Sequence, residues 1–185
     1  MGKLIYAINI SLDGCCDHTR MIGGSDEIHQ HFTHLIRDAA LLVYGRVTYQ
    51  LMVPYWPDVA KAQSASKITN EFAETFDSVP KLVFSRSLQT VEDKNSRLAS
   101  ANPKDEILKL KRELTGNMLL GGVDLPAQLT DLGLIDEYHI VVQPIVVGKG
   151  RRLFDAVTLR ERLQLKLAHS KIFNSGFTAL HYVKQ

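Results

Sequence analysis

Four short segments place glycine, hydroxyl, acidic or arginine residues directly after apolar runs. Gly-Arg-Val-Thr at 45–48 follows "ALLVY", Ser-Arg-Ser at 85–87 follows "KLVF", and Gly-Gly-Val-Asp at 121–124 follows "NMLL". The first apolar run, "KLIYAINI", leads into Ser-Leu-Asp-Gly at 11–14. Glycine lets the backbone approach a ligand closely, while hydroxyl and guanidinium groups bind phosphate oxygens. These segments therefore indicate a ligand that carries phosphate groups.

The elements around these segments predict how they meet. The apolar runs are typical of buried strands, and they alternate with amphipathic helices at 25–37, 46–52, 63–77, 102–115 and 125–132. Strands that alternate with helices favour a mostly parallel sheet covered on both faces. Ligands of such sheets bind at the carboxyl ends of the strands, where a helix N-terminus favours anions. A dinucleotide is the predicted ligand, although the sequence lacks the G-x-G-x-x-G fingerprint of a Rossmann site.

The rest of the chain completes a single domain over residues 1–185. We predict a weaker strand at 96–100, a strand region at 136–148 broken at Pro144, and a C-terminal antiparallel hairpin around 174–176. Ser25 and Asn102 are predicted helix caps, and Pro103 a first helical residue. The expected fold class is a three-layer α/β/α domain with a mostly parallel mixed sheet.

Composition narrows the class of protein. The chain has 185 residues, 45% hydrophobic and 23% charged, with a net charge of +2. This charge is too small to argue for nucleic acid, and no apolar run reaches the roughly 20 residues of a membrane span. The adjacent Cys15 and Cys16 favour reduced thiols in a loop over a disulfide or zinc site. We expect a cytoplasmic protein without nucleic-acid or membrane partners.

Several segments resemble a known family. "YGRVTYQ", "LVFSRSL" and "MLLGGVDLPAQL" resemble segments of dihydrofolate reductases, in the same order. "ISLDG" and "LGLIDEYHIVVQPIVVGKGRRLF" more closely resemble the reductase domain of riboflavin biosynthesis, which is the C-terminal domain of the bifunctional deaminase–reductase. The resemblance implies a dihydrofolate-reductase-like fold, NADPH as hydride donor and a small heterocyclic or ribosylamino-pyrimidine substrate, as in 5-amino-6-(5-phosphoribosylamino)uracil reductase.

The resemblance also implies which residues bind the cofactor. Ser85 and Arg86 would take the 2′-phosphate, which favours NADPH over NADH. The complete predicted set is Ala7, Gly14, Gly45, Arg46, Thr48, Ser85, Arg86, Ser87, Gly121, Gly122, Val123 and Asp124.

Asp13 and Glu27 are the candidate catalytic carboxylates. Dihydrofolate reductases place a carboxylate on the first helix, and here that position falls near residue 28, beside Glu27. Asp13 is the better candidate for a contact with substrate, with a plain turn aspartate as the alternative. A pterin or dihydrofolate reductase, or a nucleotide-binding member without turnover, remain alternative functions.

Other polar residues leave alternatives open. The histidines at 29, 31 and 34 include no i, i+4 pair, so we predict no metal site. Trp56 could stack on a heterocycle or close a hydrophobic turn between prolines. Lys149, Arg151 and Arg152 could bind a substrate phosphate or form an exposed basic loop. The long apolar segment "IVVQPIVVG" and the resemblance both predict a homodimer.

Overall fold

A computed structural model describes residues 1–159 and 161–185 and contains one eight-stranded mixed sheet. The strands are β1 (Leu4–Ser11), β2 (Ala39–Gly45), β3 (Lys81–Phe84), β4 (Ser96–Leu98), β5 (Asn117–Leu120), β6 (Glu137–Gln143), β7 (Leu165–Ile172) and β8 (Thr178–Lys184). The strand order is β4-β3-β2-β5-β1-β6-β8-β7. β1 to β6 run parallel to one another, β8 runs antiparallel to β6, and β7 runs antiparallel to β8.

Helices cover both faces of the sheet, which confirms the predicted three-layer fold class. The helices are α1 (Asp26–Arg37), α2 (Arg46–Met52), α3 (Tyr55–Ala62), α4 (Lys67–Ser78), α5 (Pro103–Glu113) and α6 (Asp124–Asp131). Ile107 of α5 and Leu129 of α6 are fully buried against one face. Ile36 of α1 and Phe76 of α4 pack against the other. Within the described residues, no helix is long and apolar enough to cross a membrane.

The predicted start of α5 is confirmed in detail. Asn102 adopts an extended conformation, and its side-chain oxygen accepts a hydrogen bond from the backbone N–H of Asp105 at 3.0 Å. Pro103 is the first helical residue, where its missing N–H leaves no hydrogen bond unmade. By contrast, Ser25 precedes α1 without a side-chain capping bond, and its hydroxyl is buried without a described partner.

Three predicted elements differ from the structure. "PYWPD" belongs to α3 because Pro57 stands in the first helical turn, where no intrahelical N–H bond is needed. The helix predicted at 63–77 is α4, which begins only at Lys67; Gln63, its predicted first residue, instead ends α3 with a left-handed φ of 51°. The strand predicted at 96–100 ends at Leu98.

The apolar segment that predicted a homodimer is only partly a strand. β6 ends at Gln143, since Pro144 has no N–H to continue the ladder. In the loop beyond it, Val146 is 71% exposed, and Leu12 from the β1 loop is 67% exposed. Burial of these side chains in a homodimer stays a prediction.

Candidate cofactor-binding site

A groove of about 770 Å³ lies at the carboxyl ends of β2, β3 and β5. We call it the strand-end groove. Most of the predicted cofactor-binding residues line it: Gly45, Arg46, Thr48, Ser85, Arg86, Ser87, Gly121, Val123 and Asp124. Its other lining residues are Val47, Phe84, Ala99, Ala101, Asn102, Pro103, Leu125, Gln128 and Arg151. The parallel sheet thus brings three separate segments of the sequence to one surface.

The end of β2 contributes backbone and a cation. Gly45 is extended, with φ −78° and ψ 164°, and α2 begins at Arg46 with no side-chain capping bond. The first N–H groups of α2 are therefore left for solvent or a ligand. Arg46 Nη1 donates to Gln50 Oε1 at 2.9 Å, which holds the exposed guanidinium along α2.

The end of β3 contributes hydroxyls and a second cation. Ser85 Oγ accepts hydrogen bonds from the backbone N–H groups of Ser87 at 3.1 Å and Leu88 at 2.9 Å. These bonds shape the loop, while the Ser85 hydroxyl proton can still be donated to a ligand. Arg86 is exposed beside them on the groove wall. A guanidinium and two hydroxyls in one short loop are suited to a phosphate monoester.

The Gly121–Gly122 turn is built by close packing. A Cβ on Gly121 would lie 2.6 Å from the Tyr44 ring, and one on Gly122 would lie 2.4 Å from Thr48 Oγ1. Gly122 also has a φ of +97°, which side chains rarely tolerate. Gly122 does not line the groove, but it fixes the backbone between Gly121 and Val123, which do.

Tyr6 fixes this turn from the core. Its hydroxyl donates to the Gly122 carbonyl oxygen at 2.8 Å, and the residue is fully buried. Burial raises the pKa of the Tyr6 phenol above its ordinary value, so the group stays a neutral donor. The turn is therefore anchored by a side chain on the neighbouring strand β1.

The start of α6 carries an ion pair at the groove. Val123 precedes the helix without a side-chain cap, and Arg151 Nη2 donates to Asp124 Oδ1. This hydrogen bond lowers the pKa of the Asp124 carboxyl. The Asp124 and Arg151 side chains are 65% and 41% exposed, so the pair is open to exchange of partners. In the sequence, Arg151 was only one of the basic residues of "GKGRRLF", and nothing there indicated its contact with Asp124.

Asp13 joins two loops beside the groove. Its carboxylate accepts hydrogen bonds from Ser11 Oγ at 2.6 Å and from the backbone N–H groups of Val147 at 3.0 Å and Gly148 at 2.9 Å. Arg152 Nη2 lies 3.2 Å from the same carboxylate. The Ser11 and backbone bonds hold its pKa well below its usual range. Asp13 is thus an ionised acceptor, and its contact with substrate stays a prediction.

Gly14 and Ala7 do not line the strand-end groove. Gly14 has a φ of +81°, and its carbonyl accepts the Leu153 N–H at 2.9 Å. Ala7 is 9% exposed within the core. Their roles as cofactor contacts stay predictions.

Glu27, in the first turn of α1, contacts the turn between β7 and β8. Its carboxylate accepts hydrogen bonds from the backbone N–H groups of Asn174 at 3.3 Å and Ser175 at 3.0 Å. Hydrogen bonding by Ser175, first from its side chain and then from its backbone N–H, is the main reason that the pKa of Glu27 is lowered. The structure does not bring Glu27 together with the groove residues, and its catalytic role stays a prediction.

Trp56 and His29 pack against each other. The Trp56 ring lies 4.5 Å from Phe72 and 5.7 Å from His29, edge to face in both cases. His29 Nδ1 is 3.1 Å from Thr69 Oγ1. Of the two alternatives for Trp56, the structure places it in the hydrophobic packing between α1, α3 and α4.

The fourth wall of the groove was not predicted from sequence. Ala99 and Ala101 follow β4, and Asn102 and Pro103 start α5. The only signal for this wall in the sequence was the rule that ligands bind at the carboxyl ends of parallel strands. It applies here because β4 is a further parallel strand that leads into a helix. β4 has only three residues, too few for a clear apolar pattern.

Comparison with known proteins identifies the family. The chain belongs to the RibD C-terminal domain family, whose model matches residues 2–179. It is 28% identical to the uncharacterized protein YyaP of Bacillus subtilis strain 168 over 188 aligned positions, which cover 97% of this chain and 94% of YyaP.

Two solved structures show the same fold. A protein of Shewanella sp. PV-4, named provisionally as a riboflavin biosynthesis protein, superposes with a TM-score of 0.73 at 21% identity over 99% of each chain. Dihydrofolate reductase of Enterococcus faecalis, solved in complex with NADP(H), superposes with a TM-score of 0.63 at 12% identity. That match covers 100% of this chain and 97% of the reductase. These similarities confirm the predicted dihydrofolate-reductase-like fold.

Proposed function

We propose that this protein is an NADPH-dependent reductase that transfers hydride to a small heterocyclic or ribosylamino-pyrimidine substrate. The observation that carries the proposal is the strand-end groove, where three strand ends present cations, hydroxyls and uncapped helix N-termini to one volume of about 770 Å³. Membership of the RibD C-terminal domain family supports the same activity.

The donor groups of the groove fit NADPH. Ser85, Arg86 and Ser87 would hold the 2′-phosphate, since they form one compact cationic and hydroxylic loop. The uncapped start of α6 and the Arg151 guanidinium would hold the pyrophosphate. NADPH would supply the hydride, and the protein would orient the nicotinamide and shield it from bulk water.

Proton delivery in this proposal comes from water. Asp13 and Glu27 both have lowered pKa values and accept backbone N–H bonds. Neither carboxylate carries a proton to donate near neutral pH. A water molecule at the nicotinamide end would protonate the reduced substrate, with Asp13 holding the neighbouring loops together.

The riboflavin-type substrate is favoured over a pterin. A dihydrofolate-type site needs a carboxylate on the first helix that is free to face the substrate. Glu27, the residue predicted for that place, instead binds the turn between β7 and β8. We therefore place the activity with ribosylamino-pyrimidine reduction.

Nucleotide titration tests the cofactor assignment. NADPH and NADH are titrated separately against the purified chain, and binding is followed by nicotinamide fluorescence. We expect NADPH to bind at micromolar concentration and NADH at least about tenfold more weakly, because NADH lacks the 2′-phosphate. Failure of both nucleotides to bind would exclude a cofactor role for the groove.

Arg86→Ala gives the site-specific form of this test. The substitution should weaken NADPH binding about tenfold and leave NADH binding nearly unchanged. Arg112→Ala, which removes an exposed arginine from the last turn of α5, is the matched control. An equal loss of affinity for both nucleotides would contradict the assignment of Arg86 to the 2′-phosphate. Binding without turnover of a ribosylamino-pyrimidine would indicate the nucleotide-binding alternative.

A further inference from the structure

We propose that Glu137, His139 and His181 form a binding site for a divalent transition-metal ion, with Zn²⁺ as the metal that best fits the ligands. One carboxylate oxygen and one ring nitrogen from each histidine all lie within 4.8 Å of one another. We call these three residues the β6–β8 cluster. The site goes beyond the proposed reductase function and does not depend on it.

Strand pairing explains why these side chains converge. Glu137 and His139 are two residues apart on β6, so their side chains leave the same face of the sheet. His139 and His181 are direct cross-strand partners between β6 and β8. Side chains of directly opposed residues share a face and lie close together. The backbone register thus fixes all three ligands.

The distances suit a shared metal better than hydrogen bonding alone. His181 Nε2 lies 2.8 Å from Glu137 Oε2, and His139 Nε2 lies 3.7 Å from the same oxygen. The second distance is too long for a hydrogen bond. The two imidazole rings stack with centroids 4.0 Å apart and planes 23° apart. Small side-chain rotations would bring all three ligand atoms to roughly 2.0–2.2 Å from one shared Zn²⁺ ion.

Burial and charge are also compatible with a metal ion. The side chains of Glu137, His139 and His181 are 11%, 14% and 27% exposed, so His181 forms the route of entry. Lys3 Nζ lies 2.6 Å from Glu137 Oε1 and leaves Oε2 directed at the histidines. Two imidazoles and a carboxylate select zinc-like metals over Mg²⁺ or Ca²⁺, which prefer oxygen ligands.

The coordination would include one open position. Three protein ligands leave the fourth site of a tetrahedral Zn²⁺ ion to water or another small ligand. His169 on β7 is exposed and is the register partner of His181, so it extends the row of histidines toward the sheet edge. The open position is therefore accessible from the side of β7.

The cluster is separate from the strand-end groove. Glu137 is the first residue of β6, whereas the groove lies at the carboxyl ends of the other parallel strands. None of the three cluster residues lines the groove. Metal binding can therefore be measured without any nucleotide, and its failure would leave the reductase proposal standing.

Zinc binding to the full chain is the direct test. A tag-free protein is stripped with a chelator and titrated with ZnCl₂ by isothermal titration calorimetry and by competition with a chelating dye. We expect one equivalent of Zn²⁺ to bind and to raise the melting temperature by mass action. Co²⁺ should produce visible ligand-field absorption that Zn²⁺ abolishes.

Two variants tie the binding to the cluster. His181→Ala and His139→Gln should each weaken Zn²⁺ binding at least about tenfold and remove the Co²⁺ absorption. His18→Ala, which changes an exposed histidine outside the cluster, should bind like the parent chain. Melting curves in EDTA check that each variant is folded. Absence of stoichiometric binding in the parent, or parent-like affinity in both cluster variants, would overturn the proposal.

Discussion

The strand-end groove and the C-terminal hairpin region lie on one sheet but are built in opposite ways. The groove is open, polar and shaped by backbone turns at three strand ends. The hairpin region is closed by a hydrophobic cluster that joins α1, β6 and the β7–β8 turn: Ile28, Val141, Phe173, Phe177 and Ala179. The backbone conformation of the turns thus shapes the groove, whereas side-chain packing shapes the hairpin region.

This difference separates a binding surface from a scaffold. In the groove, glycines are needed where a Cβ would meet a neighbour, and cations face solvent. In the hairpin region, the Glu27 carboxylate is held by internal partners, the backbone N–H groups of Asn174 and Ser175. Substitutions in the two regions should therefore fail for different physical reasons.

Gly122→Ala should give the largest effect, because it challenges conformation and packing together. The residue has a φ of +97°, and its new Cβ would lie 2.4 Å from Thr48 Oγ1. Strain and overpacking together predict a loss of about 2–4 kcal/mol in the free energy of unfolding. Urea denaturation measures the loss, and nucleotide titration should show weaker binding by the folded fraction.

Gly176→Ala is the matched control in the hairpin region. It has a φ of +81°, but its nearest contact from a new Cβ would be an ordinary 3.6 Å to Pro144. Only backbone strain is added, so we expect a loss of about 1 kcal/mol and unchanged nucleotide affinity. Equal losses at the two glycines would contradict the distinction between the regions.

The same distinction explains how much of the molecule could be predicted from sequence. Apolar runs and helix periodicity predicted the layered fold, because burial imposes those patterns. The ends of β2, β3 and β5 were predicted as one surface, because parallel strands must end together. Local chemistry and topology were sufficient for that half of the candidate site.

Long-range partners could not be predicted in this way. Arg151 reaches Asp124 across 27 positions, and Asp13 binds the loop at 147–148 across more than 130. Each residue type suggested several roles, and only the folded chain selects the partner. The β6–β8 cluster has the same origin, since His139 and His181 meet through strand register alone.

Stability at mildly acidic pH should depend on a half-buried histidine of the hairpin region. His31 on α1 lies edge to face with Phe173, with ring centroids 5.6 Å apart. Burial, with the positive charge of Lys171 on β7 and His34 on α1, lowers its pKa from 6.5 to about 4. The neutral ring is thus the form that the folded protein accommodates.

The sign of the effect follows from this shift. Between about pH 6.5 and pH 4, His31 takes up a proton in the unfolded chain but not in the folded one, so stability falls as pH falls. His31→Leu should remove on the order of 1 kcal/mol of the stability difference between pH 7 and pH 5. Urea denaturation at both pH values measures it, with exposed His18→Gln as control. An unchanged pH dependence in His31→Leu would show that the ring titrates freely.

Arg151→Ala should give the smallest effect and sharpen the description of the groove. The Arg151 guanidinium can exchange its partner Asp124 for a ligand phosphate at the start of α6. The pyrophosphate that it would bind is common to both nucleotides. We therefore expect NADPH and NADH affinities to fall by a similar factor of about three to five, in contrast to the selective loss in Arg86→Ala. The loss should shrink as ionic strength rises, because both partners are solvent-exposed. Fluorescence titrations at low and high salt measure it, with Arg112→Ala as control. A loss confined to NADPH would instead place Arg151 at the 2′-phosphate and move the pyrophosphate away from α6.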